Sequence, residues 1–192
     1  MTIKTLLISA VLAIILGVIV GNFVKLKYVF NPTMVALKAI PTAALVFLFL
    51  VLAGLKNAPI FIVVIIVFPI VYEATVAGYV GIDEYVLMSS KVDGARFFKG
   101  NAFIKFPLAF PTIALGLISS FALSFKIEIM AEVISGSSSY GLGSAIQNAY
   151  INSSNGMVPT FAYSLIAIIL MLIVTGIMDI IKTVFKLKGL SK

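Results

Sequence analysis

The run from Thr5 to Val24, TLLISAVLAIILGVIVGNFV, carries no charged side chain. As a helix its twenty residues reach about 30 Å, the thickness of a bilayer's hydrocarbon core. A backbone in lipid must satisfy its own N–H and C=O groups, so a run of this kind crosses as a helix. Comparable apolar runs follow at about 33–55, 60–81, 107–135 and 157–181. The expectation is an all-α polytopic membrane protein of five spans, with residues 1–192 forming one transmembrane domain. At 61% hydrophobic and 11% charged residues, the chain is far from the roughly 25% charge of soluble domains. Lys4 precedes the first run and no small-residue cleavage site follows a short core, so this run reads as a retained span, not a signal peptide.

The net charge of +7 does not point to nucleic acid, because the basic residues form no single face with interleaved aromatics. They gather at the ends of the apolar runs, as topology signals do. With the stretch 83–106 on the cytoplasmic side, that side holds eleven basic residues: Lys25, Lys27, Lys38, Lys91, Arg96, Lys99, Lys105, Lys182, Lys186, Lys188 and Lys192. The outside holds Lys4 and Lys56, and Lys126 falls within a span. The N-terminus is therefore expected outside and the C-terminus in the cytoplasm. Cysteine and histidine are both absent, which removes disulfides, thiolate and imidazole metal sites and every nucleophile that relies on a histidine base.

Several residues interrupt the runs. Asn31-Pro32 predicts a turn and a helix break, Pro41 a kink within the second span, and Lys56-Asn57-Ala58-Pro59 a tight connection into the third. Lys38 is close enough to the start of its span to snorkel toward the headgroups. Asp83 is placed to cap a short helix leading into the basic loop. Residues 136–156, rich in Gly, Ser and Asn, predict an extracytoplasmic loop with a short helix near Ser144 to Tyr150.

The loop itself carries a resemblance. Met88 to Pro111 reads MSSKVDGARFFKGNAFIKFPLAFP, in which Pro107 follows Gly94 by thirteen residues. This resembles the "EAA" loop of ABC-importer permeases: EAA, three residues, Gly, then a hydrophobic-Leu-Pro. Met88, Ser89 and Ser90 occupy the Glu-Ala-Ala positions, so the family's glutamate is missing and only the small residues are kept. Ile40-Pro41-Thr42 with Ala43 and Ala44, Phe68-Pro69, Gly78, Ala131-Glu132 and Tyr140-Gly141-Leu142-Gly143 follow in the order of the nitrate/sulfonate/taurine branch. The resemblance covers roughly residues 5 to 182 and is to the five-span core of chains that often have six. It implies a permease of the MetI-like type I fold, with Ser89, Ser90, Lys91, Asp93, Gly94, Ala95, Arg96, Phe97, Phe98 and Pro107 transmitting the motion of an ATPase. An ordinary basic loop is the plainer reading of the same charges.

Within the spans, Gly116, Ser120, Ser124, Glu128 and Glu132 recur at four-residue steps and share one slowly winding helix face. Small residues and hydroxyls at such steps serve either helix packing or a polar path; carboxylates avoid lipid and favour a water-lined path or vestibule. Lys126 either borders that path, favouring an anionic or polar solute, or snorkels to the outer headgroups. Glu73 either lines the path or is satisfied at a helix interface.

The expected function is that of a non-enzymatic permease subunit in a cell (inner) membrane ABC importer. The resemblance implies ABC ATPase subunits, a second permease subunit forming a homodimer, an extracytoplasmic solute-binding protein and the lipid bilayer as partners. No cofactor is expected on this chain: it has no GxxxxGK[ST] phosphate loop, so ATP and Mg belong to the partner ATPase. The solute would be of the nitrate, sulfonate, taurine, bicarbonate or vitamin-precursor kind. A substrate-binding subunit of an energy-coupling-factor vitamin transporter and a secondary transporter are the alternatives. The first would show Ala-xxx-Ala in its first span, where this chain has Ala10 and Ala13; the second would often show matching interrupted spans in two halves.

Overall fold

Apolar side chains all round a helix leave packing, not amphipathic patterning, to decide where it sits. The computed structural model describes residues 2–86, 88, 100–136, 141–152 and 157–190. Its elements are α1 (Thr2–Asn22), α2 (Val24–Ala39), α3 (Thr42–Val80), a π-helical turn (Asn101–Lys105), α4 (Phe106–Ser135), α5 (Leu142–Asn152) and α6 (Met157–Leu190). The fold is all-α. Among the described residues, four helices are long and apolar enough to cross a membrane, and a fifth crossing exists if the bent pair Lys25–Ala39 and Thr42–Gly54 counts as one broken span.

The second span departs most from expectation. Asn31-Pro32 does not break the chain: α2 runs through Pro32, giving up only the bond that its missing N–H would have made to the Tyr28 carbonyl. The break comes eight residues later, at Ile40 and Pro41, where the two helices meet at 90°. Ile40 is extended, with φ −70° and ψ 126°, because a residue before proline is disfavoured in the helical region. The turn expected at 56–59 is at Gly54 instead, with φ 75° and ψ 166°, a backbone conformation reserved almost wholly for glycine. α3 thus has a short first arm, Thr42–Gly54, and a long second arm over 55–80.

The second arm of α3 is the centre of the molecule, packing most extensively on α1 and α4. Lipid offers apolar side chains no incentive to leave it, so close backbone approach drives such packing. Gly17 and Gly21 supply it on α1: an added Cβ would lie 2.6 Å from the Thr75 Cβ at one and 2.6 Å from the Tyr79 Cβ at the other. Gly116 of α4 meets Ala74 in the same way, leaving no room for a side chain. Between these contacts Ala13, Ile62, Val67, Val71 and Tyr72 are fully buried. α6 packs on α4 and α5 and is otherwise an exposed apolar rod, with little of Met157–Phe185 buried.

Two smaller expectations hold. Asp83 caps the short turn after α3, its carboxylate accepting from the Tyr85 N–H at 2.9 Å. α5 covers the helix anticipated at 144–150, extended to Leu142–Asn152.

Candidate functional site

The ends of α1, α3 and α4 that flank the basic loop lie together. Lys105 donates to the Asn22 side-chain oxygen at 2.7 Å, tying the start of α4 to the end of α1. Near the end of α3, a Cβ on Gly78 would sit 2.9 Å from the Ala109 carbonyl, so α3 and α4 touch there backbone to backbone. Pro107 lies where the π-helical turn Asn101–Lys105 passes without a break into α4. Ser89, Ser90, Lys91, Asp93, Gly94, Ala95, Arg96, Phe97 and Phe98 lie outside the described residues.

The stripe along α4 separates into three environments. Ser120 and Ser124 are fully buried, and both hydroxyls are used within their own helix: Ser120 donates to the Leu117 carbonyl at 2.8 Å and Ser124 to the Ser120 carbonyl at 2.5 Å. With Gly116 they form the packing part of the stripe. Glu128 is half-buried. Glu132 reaches across to α5 and accepts from the Gly143 N–H at 3.0 Å, a carboxylate at the positive end of a helix. Gly143 is pressed against the backbone of α4 at Ile129 and Val133 and against the Glu132 Cβ, leaving no room for a side chain, and Gly141 lies against the Glu132 carboxylate.

Lys126 is exposed and opens on a groove of about 380 Å³ against α6, lined by Ile129, Ala167, Ile168, Met171 and Leu172 with Thr175. Twenty residues separate it from Phe106, about 30 Å along a straight helix. Beside a mostly apolar wall at that height, the geometry suits a lysine reaching the headgroups at the end opposite the basic loop.

Glu73 has a partner that sequence reasoning missed. Lys38 pairs with both of its carboxylate oxygens, at 2.6 and 2.7 Å, and does not snorkel outward. One residue away, Tyr72 donates to the Asn31 side-chain oxygen at 3.2 Å. Asn31 and Lys38 are seven residues apart on α2, about 10 Å, yet they meet consecutive residues of α3. α2 therefore crosses the second arm of α3 steeply instead of running beside it. Both contacts lie about 10 Å from the Val80 end of α3, counting 1.5 Å per residue. The first arm of α3 then leaves this level at a right angle to α2. No sequence spacing links residue 38 to residue 73; only the helix break and the crossing bring them together.

Among the described residues, no three His, Cys, Asp or Glu side chains converge on a point that could hold a metal ion. What the arrangement offers is a helix bundle with a clamped end, a broken helix and an ion pair within its apolar thickness. No curated protein matches the chain. The sequence model of the family described as "Binding-protein-dependent transport system inner membrane component" matches residues 11–186, nearly the full set of helices described above. The chain belongs to this family of inner-membrane permease components of ABC importers.

Proposed function

We propose that two copies of this chain form the path by which an ABC importer admits a small anionic or polar solute, of the kind carried by the nitrate/sulfonate/taurine branch, and that residues 88–107 couple the path to a cytoplasmic ATPase. Membership of the permease family displaces the vitamin-transporter and secondary-transporter readings. In this reading the chain is a non-catalytic subunit, and ATP and Mg belong to the partner ATPase. An external binding protein delivers the solute, and nucleotide binding and hydrolysis alternate the path between outward and inward exposure.

The observation that carries the coupling reading is the clamped end. The basic stretch is strung between α3 and α4, whose ends meet at Gly78 and Ala109 and whose neighbour α1 is tied in through Lys105 and Asn22. A force on residues 88–107 would be handed to three helices as one unit. The orientation rests on the charges; α1 and the second arm of α3 end at this end and α4 starts from it. With this end in the cytoplasm, the N-terminus is outside and the C-terminus inside, as the excess of basic residues requires.

The test is co-purification of candidate ABC ATPase subunits from the same genome with the detergent-solubilised chain. Wild type is expected to retain an ATPase and Gly94→Asp to lose it, because the resemblance implies that this loop is two short helices joined at the glycine, a bend that needs its backbone freedom. If no ATPase binds wild type while the chain alone carries solute into liposomes, the coupling reading fails.

A further inference from the structure

The Lys38–Glu73 pair and the break at Ile40 and Pro41 lie at one level of the molecule, about 10 Å inside the Val80 end of α3 by helix rise. The two features make separate demands on their surroundings. The side chains of the pair are 40% and 41% exposed. Charged groups at such depth face a bundle interior or a water-filled cavity, because lipid tails cannot solvate them. The break is a backbone demand: Lys38, Ala39, Ile40 and Pro41 are all exposed, and no side chain caps the helix that starts after Pro41. Non-helical backbone within a membrane persists only where protein buries it or water reaches it. Here the chain does not bury it. One electrostatic requirement and one hydrogen-bonding requirement thus converge on the same face. The exposed side of α6 makes no such demand along most of its length, being lined by residues such as Leu165, Ile169, Leu172 and Ile173.

We infer that the aqueous translocation path runs along this face, and that Lys38 is a specificity-determining residue in it, meeting the anionic group of the solute in exchange with Glu73. The inference rests on the permease reading above and assigns it a place. An ammonium carries three donors. Glu73 engages Lys38 through both carboxylate oxygens, which leaves a donor for a carboxylate, sulfonate or oxyanion arriving from the open side. Because the solute must compete with a resident carboxylate, it is held weakly enough to leave, as conduction requires.

The chain has no cysteine, so Ala39→Cys introduces a single thiol at the break, and Ile169→Cys a control on the exposed apolar side of α6. Both are labelled in native membranes, from either side, with membrane-impermeant methanethiosulfonates bearing a sulfonate or a trimethylammonium group. The expected result is that Ala39→Cys reacts at least tenfold faster than Ile169→Cys. The ratio of anionic to cationic labelling should fall at least threefold when Lys38→Gln is added and rise when Glu73→Gln is added. Equal rates at the two thiols overturn the path, and this comparison requires neither charge variant to fold. A ratio unmoved by both charge variants overturns the role of Lys38. Labelling needs no ATPase, so a failed co-purification with a reactive Ala39→Cys sinks the coupling reading alone, whereas an unreactive thiol with intact co-purification sinks only the placement of the path.

Discussion

At the scale of the residue, the side chains that matter are those whose substitution leaves a neighbour nowhere to go. Gly116 lies against Ala74 across the α3–α4 contact, and Gly116→Leu is expected to destabilise the bundle by about 1–3 kcal/mol through overpacking. A lowered unfolding midpoint in detergent would register this, and an unchanged midpoint would mean that the two helices separate easily. Glu132 caps α5 through the Gly143 N–H. Glu132→Ala should cost α5 about 0.5–2 kcal/mol, the range for loss of a helix cap, and Glu132→Gln less because it keeps an acceptor. Amide exchange in 142–152 is the measurement, with faster exchange confined to that helix as the expected outcome. Lys126 faces a mostly apolar groove, so Lys126→Leu should leave solute uptake within about twofold of wild type if the residue only snorkels. A collapse of uptake would return it to the path. The hydroxyls of Ser120 and Ser124 could not be assigned from four-residue spacing, which is the same for a packed stripe and for a polar lining.

Among the elements, the broken second span is where local signals conflicted. Two proline sites and a Lys-Asn-Ala-Pro sequence each offered a break, and neither Asn31-Pro32 nor 56–59 was used. A proline inside a helix removes one hydrogen bond, and tertiary contacts on either side of Pro32, Asn31 to Tyr72 and Lys38 to Glu73, hold the helix through it. The turn instead falls at Gly54, whose φ of 75° and ψ of 166° would strain any other residue. Gly54→Ala is expected to lower stability by about 1–3 kcal/mol, measurable as reduced yield and unfolding midpoint; a neutral effect would place the turn elsewhere. One signal in α1 was legible and went unread: Gly17 and Gly21 stand at the spacing by which small residues bring membrane helices together, and they do so against Thr75 and Tyr79.

For the whole molecule, the consequence of the charge distribution is its orientation. A fluorescent reporter that folds only in the cytoplasm, fused after Lys192, should be bright, whereas a reporter that is active only outside should be silent at the same position. The reverse pattern would invert the bundle and carry residues 88–107 away from any ATPase. If the loop couples to an ATPase as proposed, the clamped ends of α1, α3 and α4 would pass its motion to three helices together.

Apolar run length and composition alone dictate a bundle of membrane-crossing helices, since lipid leaves the backbone no other way to satisfy its polar groups. The spaced glycine, prolines and small residues suffice to suggest the permease family. Whether a given polar residue packs, caps or faces water is decided by helix crossings, which depend on contacts between distant residues. Lys38 reads as a snorkelling lysine in one dimension, and it becomes half of an exposed ion pair only because α2 is brought across the second arm of α3, where Asn31 and Lys38 meet Tyr72 and Glu73.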